Sequence, residues 1–221
     1  MKKIDAFVLT NVALFLLLCV FRYHARFVQY RGAAHIGEFF VYAAVIMLGI
    51  AILWFVFRHY AFEGSTLLLV QLGILMHFSG AFVLVDSHRL YDQVLFGLRY
   101  DKYVHFVNAF AATVLISRLF QIQKIALTRS NNVFVVLVVL GLGAVIEIVE
   151  YMVVLTVPQN GVGGYDNNMQ DLMANLAGAC SFMLAKYAWG WRHDAESARL
   201  ANLPVGATRS ASVRPRVIDP P

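Results

Sequence analysis

Charged residues are scarce in this chain. Aspartate, glutamate, lysine and arginine together make up 14% of its 221 residues, while 60% are hydrophobic. A soluble domain carries roughly 25% charged and 45–50% apolar residues, so the scarcity excludes an ordinary water-soluble globule. Proline is rare too, at five residues, and none interrupts the long apolar blocks, so nothing in those blocks demands a kink or a broken helix. The two cysteines, Cys19 and Cys180, both fall inside apolar blocks. They build no disulfide framework and have no metal-ligand spacing. Short segments of alternating polarity, the mark of a membrane β-barrel, are missing. So are a nucleophilic serine elbow, a glycine-rich phosphate loop and a zinc-protease pattern.

What is present is a series of six apolar blocks, at residues 6–21, 36–57, 65–85, 103–119, 133–155 and 169–188. About 20 helical residues cross the roughly 30 Å hydrocarbon core, and lipid offers no partner to unpaired backbone groups, which favours helices. The expected fold is all-α, a polytopic transmembrane helix bundle of about six spans over residues 1–191, followed by a disordered cytoplasmic tail over 192–221. That tail mixes Arg, Ser, Ala and Pro with little periodicity. The first block is short and holds Thr10 and Asn11. Lys2 and Lys3 precede it as in a signal peptide, but no small-residue cleavage site follows, so it reads as a retained anchor.

Placing the N-terminus in the cytoplasm puts twelve Lys and Arg residues inside and six outside. The positive-inside rule then sets both termini in the cytoplasm. The net charge of +5 reflects this bias at an anionic leaflet and carries no signal for nucleic acid. The expected partners are membrane lipids.

On that topology eight of the thirteen acids and five of the seven histidines gather on the outer side. Asp101, His105, Asn108 and Ala112 share one face of the fourth helix. Glu147 and Glu150 stand one turn apart on the fifth. Asp171, Asn175 and Gly178 form a stripe on the sixth. Carboxylates within a span cost roughly 2.5–3.5 kcal/mol at the bilayer centre, so they must face a polar cavity, share a proton or meet a cation. Ala111, Ala112, Gly141, Gly143, Ala144, Ala174, Ala177 and Gly178 supply small residues for close helix packing. The connection over 86–100 reads as a short amphipathic helix along the outer interface. The glycines of the 158–171 connection allow a cover over the site, and that segment lacks the Gly and Glu of a calcium-binding EF-hand loop.

Three stretches carry a family resemblance: Tyr100-Asp-Lys-Tyr-Val-His-Phe106, Glu147-Ile-Val-Glu-Tyr151, and Asp166 through Asp171-Leu-Met-Ala-Asn-Leu-Ala-Gly178. In order and spacing the chain resembles the YjdF-like family of bacterial inner-membrane proteins and, more distantly, the VanZ-like proteins. The resemblance covers about residues 65–188; the first two blocks match only in hydropathy. It implies a multi-pass protein of the bacterial inner (plasma) membrane and brings no activity with it. VanZ-like proteins typically have Gln in place of Glu150 and an Arg in the following loop. No Arg lies between Glu150 and Asp171 here, so a role in glycopeptide resistance is not carried over.

The residues themselves fit an enzyme at the outer membrane face, acting on a lipid or lipid-linked envelope molecule. His105 would act as acid or base tuned by Asp101, with Glu147, Glu150 and Asp171 completing the catalytic set. Lys102, Asp166 and Asn175 would orient the substrate. Alternatively His105, Glu147, Glu150 and Asp171 would hold a divalent metal ion, zinc or manganese by their mixed N and O donors. Two other functions use the same residues. In a proton- or cation-coupled transporter they form a relay, and in a structural or accessory protein they join helices.

Overall fold

The computed structural model of the chain describes residues 2–86, 88–156 and 163–201. The chain divides into two units, Met1–Phe182 and Met183–Pro221. In the first unit α1 (Lys3–Leu18) passes through a π-helical turn (Cys19–Tyr23) into α2 (His24–Arg31). A 3-10 turn (Ala33–His35) leads to α3 (Ile36–Phe57), and α4 (Gly64–Phe82), α5 (Tyr100–Ile122) and α6 (Arg129–Thr156) follow. The last helix, α7 (Tyr165–Ala201), begins in the first unit and ends in the second. In the second unit Leu184, Tyr187 and Trp189 are exposed. The tail expected over 192–221 meets the end of α7; its residues 202–221 lie outside the described residues.

Among the described residues, five helical stretches are long and apolar enough to cross a bilayer: Lys3–Gln29, Ala33–Phe57, Gly64–Ala81, Tyr100–Ile122 and Arg129–Met152. The sixth expected crossing lies within α7. That helix is longer than the others, but Asp166, Asn167, Asn168, Asp171 and Asn175 crowd its start and dilute its hydropathy. The chain is a polytopic α-helical membrane protein. Its solvation pattern is the reverse of a soluble globule's. Val20, Phe40, Leu53, Leu68 and Ile148 stand exposed, while Asp101, Lys102, Thr113, Glu147, Asp171 and Asn175 are buried. In water such an apolar exterior would drive aggregation; in lipid it is the solvated face.

Among the described residues, three apolar clusters hold the first unit together. Ile4, Phe62 and Leu67 join α1 to the start of α4; Phe15, Cys19 and Phe39 join α1 to α3; Ala109, Val139 and Ala179 join α5, α6 and α7. A polar clasp adds to them. Asn11 and Gln71 exchange hydrogen bonds of 2.8 and 3.1 Å between α1 and α4. The polar interruption of the first apolar block is therefore a helix–helix contact, where each amide satisfies the other away from water.

Two expectations are corrected. The first helix does not stop at 21 but continues to Arg31, because helix formation outlasts the apolar stretch that hydropathy detects. The connection over 86–100 is not an amphipathic helix. It forms two small hairpins, β1 (Leu84–Val85) with β2 (His88–Arg89) and β3 (Val94–Leu95) with β4 (Leu98–Arg99), around a 3-10 turn at Leu90–Asp92. The second hairpin turns at Phe96 and Gly97, with φ of 50° and 83°. Successive positive φ values make the tight turn that suits twisted strands, and a glycine supplies one of them without strain.

Gly178 sets the approach of α7 to α5, since a Cβ there would run into the carbonyl oxygen of Phe106. Gly141 has open space instead. Gly178→Ala is expected to destabilise the protein by about 1–3 kcal/mol through overpacking, whereas Gly141→Ala leaves stability unchanged or slightly raised. Thermal unfolding of both variants in the same detergent checks the contrast; equal melting temperatures would contradict it.

Candidate functional site

The polar end of the first unit is built where α4 finishes, α5 begins, α6 finishes and α7 begins. Arg99 caps α5 with extended backbone, and Asp101 sits in the first turn, where the helix dipole favours an acid. One oxygen of Asp101 accepts the backbone N–H of Lys102 at 2.9 Å, and the other lies 3.1 Å from the Lys102 ammonium. Lys102 Nζ also donates to Asn167 Oδ1 at 2.9 Å and Asp171 Oδ1 at 2.7 Å. Asn167 Nδ2 donates to the second oxygen of Asp171 at 2.7 Å. The donors of a lysine number three, so this ammonium is fully engaged by Asp101, Asn167 and Asp171. The ion pair ties α5 to α7.

One turn along α5, His105 enters the same group. Its Nε2 is 3.3 Å from Asp171 Oδ1 and its Nδ1 is 4.0 Å from Glu147 Oε1. Glu147 is buried, and among the described residues neither of its carboxylate oxygens has a hydrogen-bond partner. Among the described residues, His105, Glu147 and Asp171 bring one potential metal-ligating atom each within 4.8 Å of one another. Asn175, one turn beyond Asp171, is buried with its amide facing Gly143 of α6.

These groups border a cavity of about 780 Å³. At the polar end its wall includes His77, Arg89, Tyr91, Arg99, Asp101, His105, Glu150, Asn167 and Asp171; at the other it includes Val70, Ile74, Ala112, Leu115, Val139 and Leu142. From Asp101 to Leu115 the cavity follows α5 for about 21 Å at 1.5 Å per residue. Leu142, Val145 and Ile146 line it and are also 52, 56 and 54% exposed. One side of the trough therefore opens on the apolar exterior. In the connection, the Tyr91 hydroxyl is hydrogen-bonded to His77 Nδ1. Burial pushes the Tyr91 phenol up. Arg89 and Arg99 both pair with Asp92, at 2.9 and 3.1 Å.

Five of the eight residues singled out in the sequence line this cavity: Asp101, His105, Glu150, Asp171 and Asn175. Lys102 and Glu147 are buried beside it, and Lys102 grips protein groups where a substrate contact was expected. Asp166 is exposed and is not part of the cavity wall. Successive residues of a helix turn by about 100°, so Asn167, Asp171 and Asn175 share a face that Asp166 leaves. Asn167 thus takes the place expected of Asp166. Sequence reasoning also passed over Tyr91, Arg89 and Arg99 as site residues; their only signal was their place between two apolar blocks. Within the 158–171 connection, residues 157–162 lie outside the described residues, and Gly163 is on the cavity wall.

Removing one member of a buried ion pair leaves its partner uncompensated, at a cost of about 3–5 kcal/mol. Lys102→Met is expected to destabilise the protein on that scale. Adding Asp171→Asn to Lys102→Met should recover a large part of the loss, since fewer unpaired charges remain. Unfolding measurements on the two variants test this, and a double variant less stable than Lys102→Met would refute the coupling.

No curated protein matches the chain, and neither does any solved structure. Residues 6–192 match a family described as predicted membrane proteins, DUF2238. The match extends from α1 into α7 and takes in the Lys102 ion pair, His105, both glutamates of α6 and the whole cavity wall. The chain belongs to the DUF2238 family of membrane proteins.

Proposed function

We propose that the protein is a membrane-embedded enzyme that acts on the head group of an amphiphile, a lipid or lipid-linked molecule of the bacterial envelope. The observation that carries this reading is the continuity of one cavity from a cluster of ionisable residues to an apolar trough. A ligand with a polar head and a hydrocarbon tail satisfies both ends; a small polar solute leaves the trough unfilled, and an alkane strands the charges. The trough's exposed side offers entry from lipid. His105 borders the cavity and lies between Asp171 and Glu147, where its imidazole meets the head group. Arg89, Arg99 and Tyr91 face the head group. The three motifs shared with YjdF-like proteins contribute Asp101, His105, Glu150 and Asp171 to this wall. A carrier is less favoured, since Leu115, Val139 and Leu142 at the far end offer no relay for a proton or cation.

The site belongs on the outer face of the inner membrane, with both termini in the cytoplasm, by the distribution of Lys and Arg. Reporter fusions after residue 96 should be active only as a periplasmic enzyme, and fusions after residue 124 only as a cytoplasmic one. The opposite pattern would invert the topology.

Ligand binding is testable without knowing the substrate. Protein purified in mild detergent is incubated with bacterial polar lipid extract and examined by native mass spectrometry. A bound lipid is expected on the unsubstituted protein and on Glu150→Gln, with at least a tenfold loss on Ala112→Trp, which fills the trough. No adduct on the unsubstituted protein, or equal binding by Ala112→Trp, would count against the proposal.

A further inference from the structure

Glu147 is the least satisfied group in the protein's polar cluster. Its side chain is 7% exposed, and among the described residues neither carboxylate oxygen has a hydrogen-bond partner. Leaving such a group unpaired away from water is costly. The nearby imidazole nitrogen His105 Nδ1 is 4.0 Å from Glu147 Oε1, beyond hydrogen-bond distance. The cluster also has a charge imbalance. Asp101, Glu147, Glu150 and Asp171 bring four carboxylates against two cations, Lys102 and Arg99.

We propose that His105, Glu147 and Asp171 form a binding site for one divalent cation, with Glu150 on the same face of α6 adding charge. A cation there gives the Glu147 oxygens the partner they lack. Three ligand atoms from these residues already lie within 4.8 Å of one another. Around an ion with bonds of about 2.0–2.2 Å they would close to about 3.0–3.5 Å, a movement within reach of the Glu147 side chain. Asp171 is held for the role from behind: Lys102 bonds Oδ1 at 2.7 Å and Asn167 bonds Oδ2 at 2.7 Å. A carboxylate oxygen keeps a second lone pair for an ion while accepting such a bond, and outer contacts of this kind orient metal ligands. One imidazole nitrogen with carboxylate oxygens suits manganese or zinc and disfavours copper(I).

The inference concerns the same cavity as the proposed amphiphile but does not require that ligand. Lipid adducts and metal binding are read separately, so either can fail alone. The test uses full-length protein in detergent, stripped with chelator, dialysed, and titrated with Mn²⁺ alone. One Mn²⁺ per chain is expected by electron paramagnetic resonance, with spin-echo modulation from a single imidazole nitrogen. Glu147→Gln and His105→Gln should each weaken binding at least tenfold, and Zn²⁺ should displace the bound Mn²⁺. Glu63→Gln, which removes an acid paired with Arg118 at 3.2 Å, should bind as the unsubstituted protein does. Absence of bound Mn²⁺, or bound Mn²⁺ without nitrogen modulation, would overturn the proposal using the unsubstituted protein alone. Undiminished binding by Glu147→Gln would overturn it as well.

Discussion

The ammonium of Lys102 holds the polar end of this protein in place. A lysine in a low-dielectric interior is stable only with its donors engaged and its charge opposed. Here Asp101 provides a local partner on α5, while Asn167 and Asp171 reach it from α7. The first turns of two helices far apart in sequence are thereby fixed against each other. Their close contact lower down, at Gly178 and the Phe106 carbonyl, depends on the same alignment. His105 and Asn175, each about one turn deeper, take their positions from this anchor.

That arrangement separates two kinds of carboxylate. Asp101 and Asp171 are held in place by cations and amides, and Asp171 keeps a lone pair for the proposed ion. Glu147 and Glu150 come from α6, outside the Lys102 network. Glu147 is buried without a hydrogen-bond partner among the described residues, and Glu150 borders open space. An anchored pair beside an unsatisfied one provides both rigidity and reactivity: the framework sets distances, and the other groups remain available to a ligand or ion. The trough along α5 supplies the third ingredient, apolar volume continuous with the charged end.

Much of this was legible in the sequence because lipid imposes strong rules. Long apolar blocks without proline had to be helices, and their number and order follow directly. The faces 101–105–108 and 171–175–178 were also readable, since helical periodicity places those residues together, and the acids on them needed a reason to exist. Lys102 was harder. It stands three residues before His105 on the same side of α5, but nothing in the sequence says which helix its ammonium meets. Asp166 and Asn167 were confused because a shift of one residue turns a side chain by about 100°, while the start of α7 could not be fixed that finely from polarity. The hairpins over 84–99 were missed because amphipathic composition does not distinguish a short helix from paired strands, and the Phe96–Gly97 turn was the better signal. The partner of Asn11 was invisible: a lone amide in an apolar block does not say which of several helices carries its counterpart.

Leu142, Val145 and Ile146 are at once wall and exterior, so the trough has a side door into the hydrocarbon. A molecule taking that route never needs to pass through water. Its supply is then governed by its mole fraction in the surrounding leaflet and by two-dimensional diffusion. Diluting it with inert lipid would empty the site, while diluting the whole suspension with buffer would not.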